Sequence, residues 1–412
     1  MTGIDGLARI PKMALRNIWR SRRRSVITML SICVGTLALI LLSGYILLMD
    51  GGLKSNTIEK ETGYFQIVKK GYLADDATSL RHVIDEAEAA KIEDYLSTME
   101  EVTSVTRRLE LVGMIGTPRN SAVFMGICDS TDTLVSMVPS IVEGATLSSS
   151  DPEGIVIGKK LADKLEIKVG DPVILFVSTE NGAPEAVSAA VRGIYKGLLA
   201  EQENMLIYMP IDTAWSLMLE KPTQRLIVFL DGLGDLDAAM RKTEDFIVAG
   251  GYDLEIRSWR DLALMYRQII GMFSSMVALA GGIIFLVIIF GISNTMYMAV
   301  HDRTHEIGTM RALGKRRGYI VGLFFTEGII MGILGALMGI IIALALIPLV
   351  NSLKLNLPPG PGQTDPIPLM FAMNGWIVLL VMFVNAGSAA LASLFPSWKA
   401  SRQKIADSLR FS

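Results

Sequence analysis

The chain has 412 residues, 51% of them hydrophobic and 19% charged, with a formal net charge of −2 and two cysteines. A soluble protein of this length carries about a quarter charged residues, and the apolar surplus gathers in four runs, which excludes a purely soluble globular protein and points to bilayer spans. No Gly-x4-Gly-Lys-Ser/Thr segment occurs, so these residues bind no ATP through a P-loop of their own.

Residues 1–25 carry seven basic side chains against Asp5. Within them Leu15, Ile18 and Trp19 share a helical face among arginines, which suits an amphipathic helix lying in the inner membrane interface. Ordinary positive flanking residues would account for the same pattern. The first apolar run, Val26–Met49, is uncharged. It is longer than the roughly 7–15 residues of a signal-peptide core, and Ser43-Gly44-Tyr45 is a poor cleavage site, so it reads as a retained span at 26–49.

Residues 50–268 form a large α+β domain. Strand candidates are Tyr64–Lys69, Val102–Met114, Ser121–Ile127, Gly154–Gly158, Pro172–Val177, Ala186–Tyr195, Asn204–Met209 and Arg225–Leu230, each a short β-branched or aromatic run bounded by turn residues. Helix candidates are Asp85–Met99, Lys159–Leu165, Asp212–Leu219 and Asp235–Ala249. The strand Arg225–Leu230, the Asp235 helix and Tyr252–Arg257 suggest a β-α-β unit. The middle is richer in short strands, which predicts a β-rich subdomain at 130–220 inserted into an outer α/β portion at 50–129 and 221–258. Cys33 lies in a span and Cys128 in this domain, so no disulfide is expected.

The second span occupies 269–300 and continues a stalk segment. A cytoplasmic helix and loop follow at 301–318, then a third span at 319–350, an outer loop at 351–370 containing Leu357-Pro-Pro-Gly-Pro-Gly362, a fourth span at 371–395 and a tail at 396–412. The second and third runs exceed the roughly 20 residues a crossing needs, so they tilt, kink or project beyond the lipid. Counted over residues 1–25, 301–318 and 396–412, there are 16 basic against 4 acidic side chains, whereas residues 50–265 hold 21 basic and 35 acidic. The positive-inside rule therefore places both termini in the cytoplasm and the large domain outside. Trp19, Trp259, Trp376 and Trp398 fall near span ends, where an aromatic belt would put them.

Catalytic signals are sparse. His301-Asp-Arg-Thr-His305 places two histidines one turn apart, like half a zinc site, but Asp302 stands where a metalloprotease helix has Glu and no third ligand is near in sequence. A solvated helix is the better reading, with no catalytic, metal or cofactor residue in the chain. Glu327 is an intramembrane acid, and such groups are functional candidates by default; a hydrogen bond to a neighbouring helix or the inner headgroups is the simpler reading. Gly328, Gly332, Gly335 and Gly339 recur every three or four residues, the spacing that lets helices pack closely.

The stretch Asn294-Thr-Met-Tyr-Met-Ala-Val300, His301-Asp-Arg-Thr-His-Glu-Ile-Gly308, Thr309-Met-Arg-Ala-Leu-Gly314 resembles the signature joining the second and third spans of the FtsX/MacB-like ABC permease family. Glu327-Gly328 and the tail Phe395-Pro-Ser-Trp-Lys-Ala400 to Ser408-Leu-Arg410 are similar too. Met13-Ala-Leu-Arg-Asn-Ile-Trp-Arg-Ser-Arg-Arg-Arg24 and Thr62-Gly-Tyr-Phe-Gln-Ile67 resemble the lipoprotein-releasing LolC/LolE-like branch. Gly154-Ile-Val-Ile-Gly158, Leu161-Ala162 and Val169-Gly-Asp171 look like the periplasmic core domain shared with MacB.

The resemblance implies an α-helical membrane protein with four transmembrane helices plus a large α+β extracytoplasmic domain of the MacB-like periplasmic core type, in the bacterial inner membrane. It implies a non-catalytic, mechanotransmitting permease subunit whose partner ATPase binds ATP and Mg. The expected partners are a cytoplasmic ABC ATPase dimer, a second permease copy or paralogue, a periplasmic adaptor or lipoprotein and membrane lipids, with no nucleic acid. The coupling helix would dock through Val300, Ile307 and Met310 as an apolar stripe flanked by Arg303, Glu306 and Arg311, with Gly308 and Gly314 allowing close approach or helix termination. The cargo would be a lipoprotein, lipid or peptide; the alternative is an FtsX-like signalling subunit that activates a cell-wall hydrolase without transport.

Overall fold

The computed structural model describes residues 10–20, 22–72, 81–148, 153–178, 184–197, 200–216, 218, 221–358 and 367–403. The Ser408-Leu-Arg410 ending, Leu219 and most of the Pro-Gly loop lie outside the described residues. The chain divides into a helical unit (Met1–Gly51, Ile269–Leu355, Pro368–Ser412) and a mixed unit (Gly52–Gln268, Asn356–Ile367).

The helical unit is built on four long helices, Arg22–Thr57, Leu264–Asp302, Arg317–Ser352 and Gly375–Ser401. By length and composition each can cross a membrane. The fourth starts later than the apolar run suggests, because the Asn374 side chain accepts a hydrogen bond from the Trp376 backbone N–H and caps it there. At roughly 1.5 Å per residue the second helix spans about 58 Å, well beyond a hydrocarbon core.

Small residues set the packing. A Cβ at Gly328 would lie 2.5 Å from the Ser393 Cβ, and one at Gly332 2.4 Å from the Ala389 Cβ, both on the fourth helix. One turn on, a Cβ at Gly335 would lie 2.8 Å from the Ile32 Cβ and one at Gly339 2.7 Å from the Cys33 carbonyl oxygen, both on the first helix. The glycine stripe of the third helix thus serves two neighbours in succession, each within this chain.

Polar side chains in these helices turn inward and find partners. The Thr28 and Thr295 hydroxyls lie 2.5 Å apart, and Asn385 Nδ2 donates to Thr36 Oγ1 at 3.1 Å. Pro396 lies inside the fourth helix and has no N–H for the Ala392 carbonyl four residues back. That carbonyl accepts instead from Ser293 Oγ of the second helix at 2.9 Å.

A separate helix, Ile10–Arg20, precedes the first long helix. Its Leu15–Ile18–Trp19 face is divided. Ala14 and Ile18 are buried against the bundle, while Leu15 and Trp19 are exposed, Trp19 by 70%.

Among the described residues the main sheet of the mixed unit holds ten strands: β1 Phe65–Lys69, β2 Val102–Gly116, β3 Ser121–Asp129, β4 Ile141–Gly144, β5 Gly154–Gly158, β6 Pro172–Ser178, β7 Pro184–Tyr195, β8 Leu206–Pro210, β9 Arg225–Leu230 and β10 Leu254–Ser258. They run in the order β10-β1-β9-β2-β3-β8-β5-β7-β4, with β6 paired to β2 and β7. β2 serves two cores. Its first half, to Arg108, pairs with β9, and its second half, from Leu109, pairs with β3. One core gathers Phe65, Ile67, Ile92, Leu96, Val228 and Ile247; the other gathers Leu109, Phe124, Ile157, Leu175, Val191 and Ile207. The division therefore falls inside β2 rather than near residue 130.

Other expectations are corrected in the same unit. The expected β-α-β unit is split, because β1 lies between β9 and β10, antiparallel to both. Asn204 closes a helix, Ala200–Met205, instead of opening a strand. Trp259 does not sit at an exposed belt: it is 3% exposed, its ring edge-on to Tyr266 in the first core. Where β2 passes between cores, Arg108 Nε bonds Asp129 at 2.9 Å and Nη1 donates to the Glu61 carbonyl at 2.6 Å. Asp129 also accepts from the Thr106 hydroxyl and the Ser130 N–H, so this buried ion pair is fully hydrogen-bonded, as it must be to persist.

Candidate coupling site

The second long helix stops at Asp302, Arg303 leaves helical geometry with φ −115 and ψ 20, and a short helix follows at Thr304–Ala312. Its end has a physical cause. Gly314 takes φ +87, its N–H bonds the Arg311 carbonyl, and the Lys315 N–H bonds the Met310 carbonyl. That pair of bonds is a Schellman motif, which favours glycine at the left-handed position. Helix termination thus accounts for Gly314, whereas Gly308 is buried against the bundle.

Four arginines tie this corner together. Arg24 pairs with Asp302 at 2.6 Å and Arg20 with Glu306 at 2.7 Å. Arg303 pairs with Glu327 at 3.4 Å and donates to the Asn17 carbonyl at 2.9 Å. Arg311 donates to the Ser401 carbonyl at 2.6 Å. The first two pairs are about half exposed or more and contribute on the order of 0–1 kcal/mol. The Arg303–Glu327 pair, at 10% and 2% side-chain exposure, is the structural one, since losing either member strands a buried charge. Glu327 thus has a protein partner at the Asp302 corner.

The apolar stripe faces the other way from expectation. Val300 and Ile307 are buried in the bundle with Ile18, Ile320 and Phe324, and Met310 packs against them. Arg303 and Arg311 likewise point at this chain. The reason is local: the break at Arg303 and the left-handed turn at Gly314 fold the helix back onto the helices it connects. The face left to solvent carries His301, Asp302, His305, Glu306, Thr309 and Leu313, with Leu313 80% exposed. Leu313 was visible in the Arg-Ala-Leu-Gly motif but not its exposure. The Arg20–Glu306 and Arg24–Asp302 pairs, which together form a clamp, had a signal: Arg20 and Arg24, four apart, oppose Glu306 and Asp302, four apart in reverse order. Beside the clamp a cavity of about 920 Å³ opens between the Ile10–Arg20 helix, the short helix and the start of the third long helix.

Residues 25–246, more than half of the chain, match the family model of the MacB-like periplasmic core domain, and residues 278–405 match that of the FtsX-like permease C-terminal. The lipoprotein-releasing system transmembrane protein LolE of Haemophilus influenzae is 27% identical over 69% of this chain and 71% of its own length. LolC of Xylella fastidiosa, of the same system, is 25% identical over 72% of this chain and 74% of its own length. The macrolide export ATP-binding/permease protein MacB of Agrobacterium fabrum is 26% identical over 94% of this chain but only 60% of its own length.

Proposed function

The chain belongs to the FtsX/MacB-like permease family, and from that premise we propose that it couples ATP hydrolysis on a separate ATPase to extraction or export of a lipoprotein, lipid or peptide by its extracytoplasmic domain. As a membrane-embedded permease subunit of an ABC transporter it needs three things: a surface for the ATPase, a path for force, and a surface for cargo.

The exposed face of the Thr304–Ala312 helix is the observation that carries the coupling half. In this reading Leu313, 80% exposed at the end of that helix, supplies the apolar anchor of a mostly polar face turned toward the ATPase. The matching region of MacB belongs to a protein named for both ATP binding and permease activity, while no P-loop occurs in these 412 residues. In this reading the ATPase is an independent subunit binding ATP and Mg, and two permease chains, identical or paralogous, share an ATPase dimer. The basic flanks support a reading in which the clamp and both termini are cytoplasmic, four helices span the membrane and the acidic domain lies in the periplasm.

Cargo class draws support from the mixed unit. On three neighbouring strands, Val112 and Met114 of β2, Val123 of β3, and Ile174 and Phe176 of β6 all face solvent, each 43–53% exposed. Met114 stands opposite both Val123 and Phe176. A solvated sheet face normally alternates to polar residues, so a contiguous apolar face suits a cargo with an acyl chain or apolar segment.

Co-purification of the ATPase with full-length chain in detergent tests the coupling half. Wild type retains the ATPase, and Leu313→Glu loses it by tenfold or more, about 1.4 kcal/mol. Equal retention by Leu313→Glu would remove this face from the interface.

A further inference from the structure

The cavity beside the clamp has an uneven lining. Its floor is apolar: Ile307, Leu323 and Phe324 are all below 5% exposed. Leu15 and Trp19 of the Ile10–Arg20 helix add apolar wall that is itself open to the surroundings, at 55% and 70%. Against this stand four arginines, Arg16, Arg20, Arg22 and Arg303, and a single acid, Glu306. Arg20 is shared with Glu306 and Arg303 is committed to Glu327 and Asn17. Arg22 lies over the Trp19 ring at 5.3 Å and bonds the Trp19 carbonyl. Neither Arg16 nor Arg22 has an acidic partner among the described residues.

We propose that this cavity is a binding site for one anionic phospholipid of the inner leaflet, its phosphate held by Arg16 and Arg22 and its upper acyl chain laid along Trp19, Leu15 and the apolar floor. Charge complementarity selects the occupant: two guanidiniums with no acidic partner among the described residues call for an anion, and arginine forks match phosphate oxygens in pairs. The apolar remainder calls for a hydrocarbon continuation that a free phosphate lacks. The volume lies within the range of about 300–1,000 Å³ found for ligand pockets, enough for a headgroup and the first methylenes. A helix with one face on the bundle and exposed Leu and Trp on another is also the shape that rests in the headgroup region. The lipid would wedge between that helix and the coupling corner, which makes the corner's stability sensitive to the anionic lipid around it.

The site stands apart from the ATPase reading, because it is tested with no ATPase present. Full-length chain is purified in mixed micelles of phosphatidylglycerol and phosphatidylcholine, and retained lipid is measured by native mass spectrometry. Wild type should retain phosphatidylglycerol over phosphatidylcholine by roughly thirtyfold, the factor expected of two arginines at a lipid surface. R16Q/R22Q should bring that ratio near one, and R16K/R22K should keep most of it. R23Q/K315Q removes the same charge outside the cavity and should leave the ratio unchanged, with all variants sharing the wild-type melting profile. The proposal is overturned if R16Q/R22Q retains phosphatidylglycerol as wild type does, or if R23Q/K315Q loses it equally. Displacement of the lipid by millimolar inorganic phosphate would also overturn it, assigning the arginines to a free anion.

Discussion

Removing one member of the Arg303–Glu327 pair leaves the other charge buried, a change that costs roughly 3–5 kcal/mol. Removing both costs far less. Glu327→Met should therefore lower the melting temperature of the full chain in detergent sharply, and Arg303→Met/Glu327→Met should recover most of the loss; a double variant as unstable as the single would show that the pair is not the structural link. Glycines separate in the same way. A Cβ at Gly332 meets Ala389 at 2.4 Å, whereas one at Gly387 meets nothing within 4 Å. Helix propensity favours Ala over Gly by about 1 kcal/mol, and overpacking costs about 1–3 kcal/mol. Gly387→Ala should thus be neutral or stabilising and Gly332→Ala destabilising, and the same thermal assay giving both the same sign would contradict the packing. The sequence marks Glu327 as anomalous by its apolar neighbours alone. It does not reveal Arg303 as partner, because that contact depends on how the corner after Asp302 folds back. Trp259 misleads for a related reason: chain position near a span is not depth, and its ring is taken up by a soluble core.

The elements most legible in sequence are those with a full local pattern. Strands such as Gly154–Gly158 and Arg225–Leu230 and the helix Lys159–Leu165 sit where their alternation and periodicity put them. β4, Ile141–Gly144, left no pattern because it is a short and largely exposed edge strand. The position of β1 between β9 and β10 is set by pairings such as Phe65 with Val228 and Ser258, which no local window contains. The Thr304–Ala312 helix shows the same limit: its stripe is legible, and what the stripe packs on is not. Gly308→Trp would accordingly damage the bundle before it reached any partner. β7 and β8 bring a pH dependence of their own. Burial pushes the Tyr195 and Tyr208 hydroxyls above their ordinary value of 10.0. The folded chain keeps these protons while the unfolded chain releases them, so the stabilisation is complete below pH 10 and is lost as pH rises beyond it, by about 1.4 kcal/mol per unit for each group. Tyr195 also donates to the Gln202 and Leu206 carbonyls. Tyr195→Phe should cost about 1 kcal/mol at neutral pH yet fall less steeply above pH 10 in denaturant titrations of the full chain; parallel pH curves for the two proteins would contradict this.

At the scale of the whole molecule, the charge split and the four long helices were legible from composition, and the family from motifs spread along most of the chain. The apolar face on β2, β3 and β6 was not, since each strand alone looks like ordinary alternation and only their adjacency makes a surface. Two surfaces carry the proposed function: Leu313 and its neighbours toward an ATPase, and Met114 with Phe176 toward cargo. They should fail independently. The most direct test is ATP-dependent release of an acylated lipoprotein from proteoliposomes holding this chain, its ATPase and any second permease subunit. Wild-type complex should release cargo on ATP addition; Leu313→Glu should abolish both ATPase stimulation and release, and Met114→Asp/Phe176→Asp should keep ATPase association while losing release by about tenfold, the scale of one or two kcal/mol of lost apolar burial. A wild-type complex that hydrolyses ATP and releases no cargo, or a Leu313→Glu complex that releases it normally, would contradict a permease working by this route and return the chain to a signalling role.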